Sequence, residues 1–444
     1  MDPSTLTAAR AAQQVRDGSL SSVDLVKACL ARIEQTDPSI HAWAHLAADQ
    51  ALDRAAEMDQ IRRSGLAVGP LHGVPVGLKD IIDTSDMPTE RGTPIFSGRR
   101  PDADAALVDR LLDAGAVIMG KTVTTELAFL NPSQTRNPHD LSRTPGGSSS
   151  GSAAAVAAGH VPLAIGTQTN GSVIRPASFC GVYGFKPTSG VISRRGLLQT
   201  SVSLDQVGVF SRSLEDAALL SDVLAGYDSA DPASFARPRP AMVKGVEQEV
   251  PVEPDLAFFE MPFHDRLSAD AREGIDQVIG ALGGRVTRLR PADTMTDLVA
   301  VQATIHEYEI CQHLAETFTS HWDQVSPLLQ SIVERGRKIS RAQYEDALSV
   351  KASAGIFFTD FFREFDAIIA PSAAGEAPSF DSGTGDPIFC TLWTLAGLPS
   401  LSLPLLVGEN GLPIGVQLIG PVEKDDRLLR TANWLQTKLA AQAA

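Results

Sequence analysis

Two serine-rich segments lie close together in the chain, RTPGGSSSGSAAAVAAG at residues 143–159 and GTQTNGSVIRP at residues 166–176. A serine hydroxyl becomes a good nucleophile when a neighbouring base takes its proton. The nearest histidines, His139 and His160, do not stand where a serine hydrolase requires its base. A lysine can be that base if burial lowers its pKa, because desolvation disfavours the ammonium. The candidate is Lys79, with the apolar neighbours Val74, Val76, Leu78, Ile81 and Ile82.

The elements between the two segments predict that they meet in space. A helix of about nine residues after the serine run extends about 13 Å, and Gly159 ends it. The strand VPLAIG then returns about 20 Å, which brings GTQTNGS back to the start of the helix. Lys79 ends the short predicted strand VPVGLK, at the edge where open α/β sheets bind ligands. A base, a relay and a nucleophile can therefore gather there without histidine.

A third segment, GAVIMGKT at residues 115–122, matches the phosphate-binding pattern GxxxxGK[ST] letter for letter. That pattern requires a strand before its first glycine and a flexible loop between its two glycines. Here an amphipathic helix precedes Gly115, and Ala-Val-Ile-Met has the composition of a buried strand. We interpret Gly115 as the end of a helix rather than as part of a nucleotide site.

The pentapeptide GSSSG at residues 147–151 matches G-x-S-x-G, which would make Ser149 the nucleophile of an α/β-hydrolase. That motif requires a strand that leads directly into the serine. The preceding NPSQTRNPHDLSRTP is typical of a loop, and nothing marks which later histidine would be the base. An esterase with Ser149 as nucleophile is kept as an alternative. The later histidines in question are His264, His306, His313 and His321.

The composition excludes several classes of protein. The 444 residues carry a net charge of −15, which argues against a nucleic-acid or anionic-membrane partner. The N-terminus has no signal-peptide core, and no run approaches the roughly 18 apolar residues of a membrane span. The four cysteines form no CxxC pair, which favours a reducing compartment over disulfides or a thiolate zinc site. We expect a cytoplasmic protein; the cysteines are Cys29, Cys180, Cys311 and Cys390.

Helix and strand signals alternate along much of the chain, which predicts an α/β fold with helices covering a largely buried sheet. Residues 1–65 are predicted to be helical, and the alternation runs from 66 to about 225. Residues 226–365 begin with a proline-rich connection and continue with mostly helical patterns. Strand patterns return in residues 366–444, in DAIIAP, LPSLSLPLL and IGVQLIG.

Taken together, these motifs resemble the amidase signature family. LHGVPVGLKDIIDT is similar to its lysine motif, and GGSSSGSAAAVAAG and GTQTNGSVIRPASFCGVYGFKPT to its serine- and glycine-rich signature. TGDPIFCTLWTLAGLPSLSLP and GLPIGVQLIG are similar to its C-terminal core strands. The resemblance spans nearly all of the chain and is weakest between about 228 and 365. It implies a single domain over residues 1–444, built on a mixed, twisted central sheet with helices on both faces.

The resemblance also implies the catalytic roles. Ser172 would be the nucleophile, Ser148 the bridging serine after a cis peptide bond from Gly147, and Lys79 the base, with Ser149 in support. The oxyanion hole would consist of the backbone N–H groups of Thr169, Asn170, Gly171 and Ser172. Two positions depart from many relatives, which have glycine where this chain has Ser150 and Asn170. Asn170 places a side chain near the acyl site, where we expect it to influence substrate choice.

The implied activity is hydrolysis of an amide bond through an acyl-enzyme, with carbamates or esters as further substrates and without metal or organic cofactor. We expect a stand-alone enzyme for small or aryl-substituted amides. The alternatives are a glutaminase subunit of a tRNA-dependent amidotransferase and a binding module without turnover. Monomer and homodimer are both open. Phe129, Leu130 and Trp393 are predicted to line the substrate pocket, and Arg175 and Asp205 to order loops.

Overall fold

The computed structural model describes residues 2–292 and 294–443. The strands are β1 (Trp43–Leu46), β2 (Pro75–Lys79), β3 (Val117–Thr122), β4 (Leu163–Gln168), β5 (Tyr183–Lys186), β6 (Gln206–Ser211), β7 (Leu256–Phe259), β8 (Val286–Leu289), β9 (Ala367–Pro371), β10 (Ser400–Val407) and β11 (Pro413–Ile419). The first helices are α1 (Ala8–Asp17), α2 (Ser22–Ile40), α3 (Ala48–Arg63), α4 (Ala106–Asp113), α5 (Ser150–Ala157), α6 (Ile174–Cys180), α7 (Leu214–Leu224) and α8 (Met242–Glu247). They are followed by α9 (Ala269–Leu282), α10 (Thr294–His313), α11 (Ala315–Ser320), α12 (Pro327–Gly336), α13 (Arg341–Phe361), α14 (Ile388–Leu395) and α15 (Asp425–Ala443).

The strands form one mixed sheet in the order β1-β3-β2-β4-β6-β5-β10-β11-β9-β7-β8. The neighbours β3, β2 and β4 run parallel, as do β9, β7 and β8. The six strands in the middle of that order, from β4 to β9, form antiparallel pairs with one another. The predicted α/β class with a mixed sheet is confirmed.

Helices cover both faces of this sheet, and β4 shows how. Leu163 and Ile165 point into a buried cluster that includes Leu111 of α4 and Leu220 of α7. Ala164, one residue out of phase, lies in a second cluster with apolar side chains of α2, α3 and α5. Alternate strand residues face opposite sides of a sheet, so a strand covered on both faces is apolar throughout.

Residues whose types favour the start or end of a helix stand at helix ends in the structure. The Ser21 hydroxyl caps α2 by accepting a hydrogen bond from the N–H of Asp24. Gly115 follows α4 with φ +81°, a left-handed conformation that suits glycine. Residues 117–122 form β3, so the glycines of GAVIMGKT flank no phosphate-binding loop. The prediction of an all-helical segment over residues 1–65 is wrong at Trp43–Leu46, which adds the edge strand β1 to the sheet.

The parallel pairing of β2 with β4 brings the motifs together. Leu78 pairs with Ile165, so the carboxyl ends of both strands lie at the same edge of the sheet. Lys79 ends β2, and residues 169–172 follow β4 at that edge. The hydroxyl of Ser149, which precedes α5, contacts the backbone of Thr167. The predicted meeting of the two serine-rich segments is therefore present.

Helices from the middle of the chain pack together beside this edge of the sheet. Helix α10 packs against α12, α13 and α14, and Gly336 of α12 allows a close approach to α10. A Cβ at Gly336 would lie 2.1 Å from the carbonyl oxygen of Glu307. Among the residues that the structure describes, no helix is both long enough and apolar enough to cross a membrane.

Candidate active site

Lys79 occupies a fully buried position at the end of β2. Its Nζ lies 2.7 Å from Ser148 Oγ and 2.9 Å from Thr167 Oγ1. Burial lowers the pKa of Lys79 to about 7, and the carboxylate of Asp205 opposes part of that shift. A substantial fraction of Lys79 is therefore a neutral amine at neutral pH, with a lone pair that can accept a proton.

Ser148 follows a cis peptide bond from Gly147, as the resemblance implies. The carbonyl oxygen of Gly147 accepts a 2.7 Å hydrogen bond from Nη2 of Arg175. A Cβ at Gly147 would lie 2.9 Å from a methyl group of Thr384 and 3.0 Å from one of Thr125, so the site favours glycine. Arg175 is fully buried and orders this turn, which agrees with its predicted loop-ordering role.

Ser172 lies in the loop between β4 and α6 and is half-buried. It lines a cavity at the sheet edge, together with Asn170 and Gly171. Among the described hydrogen bonds, none joins the hydroxyl of Ser172 to that of Ser148. Lys79 and Ser148 are thus in direct contact, whereas Ser172 lies on the adjacent loop, beside the cavity.

The loop at residues 169–172 presents donors that the rest of the chain does not use. Within the described part of the chain, the backbone N–H groups of all four predicted residues, Thr169, Asn170, Gly171 and Ser172, donate no hydrogen bond. The next two N–H groups, of Val173 and Ile174, donate to the side-chain oxygen of Gln168. Four adjacent unpaired N–H groups beside a cavity form a site suited to a carbonyl oxygen that acquires negative charge.

Ser149 and Asp205 serve the loops around the site. The Ser149 hydroxyl donates to the carbonyl of Thr167 and accepts from its N–H, at 3.2 and 3.3 Å. Both of these contacts are to buried backbone, which gives Ser149 a structural task. The Asp205 carboxylate accepts a 2.5 Å hydrogen bond from the hydroxyl of Thr169, and others from the N–H groups of Thr200 and Ser201.

The cavity beside Ser172 has a volume of about 120 Å³. Its far wall consists of side chains from α10 and α12, and the predicted Phe129 and Leu130 form another part of the lining. The remaining lining residues include Ala128, Thr169, Arg175, Gln302, Ala303, His306, Glu307, Ile332, Arg335 and Pro387. Trp393, contrary to the prediction, does not line this cavity. Its side chain packs in the core, 5.7 Å from the ring of Phe358, because the apolar helix α14 buries it.

The cavity lining carries three charged residues, Arg175, Glu307 and Arg335, and the described ion pairs include none for Arg175. The imidazole of His306 packs on the ring of Phe129 with a centroid distance of 4.6 Å. Burial lowers the pKa of His306 to about 4, so the ring is uncharged at neutral pH. Two of the charged lining residues neutralise each other, since Arg335 Nη2 bonds a carboxylate oxygen of Glu307 at 2.5 Å.

Sequence reasoning missed the polar residues that reach the loop at residues 169–172 from distant helices. These are Gln302 on α10 and Thr391 and Thr394 on α14. A signal exists in IFCTLWTL, where two threonines three residues apart lie on one side of an otherwise apolar helix. Gln302 and His306, four residues apart in α10, likewise lie on one side of their helix.

Known proteins with this fold identify the class to which the chain belongs. The family model described as Amidase matches residues 24–429. A glutamyl-tRNA(Gln) amidotransferase subunit of Chloroflexus aggregans is 34% identical, over 97% of this chain and 96% of its own length. This protein belongs to the amidase family.

Two solved structures are similar over nearly their whole length. One comes from a vestigial protein complex that reveals the evolutionary origins of an s-triazine catabolic enzyme. It has a TM-score of 0.92 and 30% identity, and the match covers 97% of this chain and 98% of that one. The native peptide amidase of Stenotrophomonas maltophilia has a TM-score of 0.84 and 30% identity, with 98% and 97% covered. The protein is a hydrolase that acts on amides.

Proposed function

We propose that Ser172 is the nucleophile, Ser148 the proton relay and Lys79 the general base. In the first step, Ser148 passes its proton to the neutral amine of Lys79 and receives the proton of Ser172. The Ser172 oxygen then forms a bond to the carbonyl carbon of the substrate. The carbonyl oxygen becomes an oxyanion, which accepts hydrogen bonds from the N–H groups of residues 170–172.

The tetrahedral intermediate collapses when the C–N bond breaks. Lys79 returns its proton through Ser148 to the nitrogen of the leaving amine, and the acyl group remains on Ser172. A water molecule then loses a proton along the same path and attacks the acyl carbon. The carboxylic acid leaves, and the proton returns to the Ser172 oxygen, which restores the starting state.

One observation carries this proposal: a fully buried lysine whose two hydrogen-bond partners are both hydroxyl groups. Hydroxyls donate as well as accept, so this environment tolerates the neutral amine that a base requires. The relay between Ser172 and Ser148 completes the proposal, because catalytic hydrogen bonds often tighten only with substrate bound. The unpaired N–H groups of residues 170–172 provide independent support.

We further propose a stand-alone hydrolase of uncharged amides, with carbamates as additional substrates. A carbamate presents its acyl carbonyl to the same serine and differs only in the oxygen on the other side of that carbonyl. With His306 neutral and Glu307 paired with Arg335, the lining offers no free carboxylate, which disfavours a substrate with a formal positive charge. Burying an unpaired charge in such a cavity would be costly.

A glutaminase subunit is the second candidate, because the amidotransferase relative is 34% identical along nearly the whole chain. Glutamine carries an ammonium and a carboxylate, and each needs a partner of opposite charge. Such a subunit would hydrolyse glutamine and require a partner protein for its full reaction. A stand-alone enzyme would hydrolyse a p-nitroanilide or a carbamate unaided and leave glutamine largely unchanged.

The decisive experiment is labelling with a serine-reactive fluorophosphonate, followed by peptide mass mapping. We expect the adduct on Ser172, none in Ser172→Ala, and loss of p-nitroanilide hydrolysis in that variant. Ser149→Ala is the matched control and should still carry the label on Ser172. An adduct on Ser149 in the wild-type protein would contradict the proposed roles and favour the esterase alternative.

A further inference from the structure

The free N–H groups of the oxyanion loop, residues 169–172, must be held in direction by the carbonyls that precede them. A peptide unit is planar and trans, so a carbonyl fixed on one side aims the following N–H to the other side. Each relevant carbonyl has an anchor from a different element. The carbonyl of Gly171 accepts from the N–H of Arg175 at 3.0 Å, and that of Asn170 accepts from the hydroxyl of Thr394 at 2.5 Å.

The third anchor comes from the cavity wall. The side-chain Nε2 of Gln302 donates a 3.1 Å hydrogen bond to the carbonyl of Thr169. That bond directs the N–H of Asn170, which belongs to the same peptide unit. Gln302 is 3% exposed and comes from α10, in the part of the chain that resembles the amidase signature least.

Gln302 also contacts the side chain that departs from the glycine of many relatives. Its Oε1 accepts a 3.3 Å hydrogen bond from Nδ2 of Asn170, and the Oδ1 of Asn170 accepts one of 2.7 Å from the hydroxyl of Thr391. Only one orientation of the Gln302 side-chain amide satisfies both contacts, since the Thr169 carbonyl can only accept a hydrogen bond. Gln302 must therefore turn its amide nitrogen to Thr169 and its oxygen to Asn170.

We propose that Gln302 is a positioning residue for the oxyanion hole, and that Asn170 is its partner in the loop. The pair fixes the direction of the Asn170 N–H and ties the loop to α10. This inference rests on the proposed function, because it assigns the loop to the oxyanion. It predicts that Gln302 acts on the transition state and leaves substrate binding nearly unchanged.

The test compares Gln302→Glu, Gln302→Ala, Asn170→Ala and the double variant Gln302→Ala/Asn170→Ala, using a p-nitroanilide. The glutamate has the same shape and, at a pH high enough to ionise it, cannot donate to the Thr169 carbonyl. Complete removal of an oxyanion donor typically lowers kcat by about 10²–10³. For a misdirected donor we expect a loss in kcat of roughly tenfold, with KM within about twofold. The affinity for phenylboronic acid, which forms a tetrahedral adduct on a serine, should fall by a similar factor.

Thr304→Ala is the control on the same helix, since the Thr304 hydroxyl donates, in an exposed hydrogen bond, to the carbonyl of Ala300 within α10 and has no other partner among the described residues. It should retain wild-type kinetics and melting temperature. If the two side chains act as one unit, the double variant will lose much less than the product of the single losses. Wild-type kcat in Gln302→Ala, a change confined to KM, or full additivity would overturn the inference. Each of these leaves the proposed function intact, because that depends on Ser172→Ala losing activity.

Discussion

Lys79 and Lys186 each end a strand of the central sheet, β2 and β5 respectively, and both side chains are fully buried. Burial lowers the pKa of each to about 7. Their partners differ. The Lys186 Nζ donates to the side-chain oxygen of Gln206 at 2.5 Å and to the carbonyls of Leu398 and Pro187 at 2.6 and 3.3 Å.

The partners decide the protonation state that each site needs. Three amide oxygens accept and never donate, so a neutral amine, with two N–H groups, would turn its lone pair towards one of them. Hydrogen bonds to the charged form stabilise it, so we expect these acceptors to hold the pKa of Lys186 above that of Lys79. The hydroxyls beside Lys79 impose no such demand. With equal burial, one site therefore favours the cation and the other holds a candidate base.

The largest expected effect is on activity. Lys79→Met replaces the proposed base by an apolar side chain of similar length. General-base catalysis contributes about 10²–10⁴ in rate, so we expect kcat/KM at pH 7 to fall roughly a thousandfold. Initial rates on a p-nitroanilide measure the loss, and circular dichroism checks that the fold is retained. Activity like that of the wild type would remove Lys79 from the mechanism.

Lys186→Met should affect stability instead. It leaves the side-chain oxygen of Gln206 and the carbonyl of Pro187 without their donor, whereas the Leu398 carbonyl still accepts from the Ser400 hydroxyl. Each unsatisfied acceptor costs about 1–3 kcal/mol, so we expect the free energy of unfolding to fall by roughly 2 kcal/mol or more. Urea denaturation of this variant beside Lys79→Met measures the contrast. If Lys186→Met were as stable as Lys79→Met, the difference in hydrogen-bond partners would not contribute to the free energy of unfolding.

The smallest effect concerns pH. Because Lys79 must be neutral to accept a proton, kcat/KM should fall about tenfold per pH unit below its pKa of about 7 and level off above it. The residual activity of Lys79→Met should lack this inflection. A pH profile for kcat/KM from about pH 5.5 to 9 distinguishes the two. An inflection that persists in the variant would assign it to another group.

Much of this architecture follows from local sequence. The helix cap at Ser21, the helix end at Gly115 and the strands around Lys79 are encoded by a few adjacent residues. Among the four-residue strands, β7 is apolar throughout and is recognisable as a strand, whereas β1, β5 and β8 mix polar and apolar residues and escape such reasoning. The tertiary pairing with a neighbour determines these three strands.

The candidate site also contains residues that local sequence identifies and residues that it does not. Lys79, Ser148 and Ser172 stand in distinctive local motifs, and the resemblance identifies them. Gln302 and Thr394 lie far along the chain from the loop they hold, separated from their partners by 133 and 224 positions, on helices whose patterns are set by packing. For Trp393 the error is the reverse, since the sequence predicts a core residue to line the pocket. A large aromatic beside a motif suggests a pocket, but the apolar character of α14 requires it in the core.

The division of the site between two parts of the chain has a consequence for how such an enzyme diversifies. The proposed reacting groups come from residues 79–172, whereas α10 and α12 supply the far wall of the cavity. Grafting those helices from a relative would change which molecules fit and leave the chemistry in place. The contact between Gln302 and the loop sets the condition for success: a transplanted helix must carry a donor at that one position, or bring its own residue to match position 170.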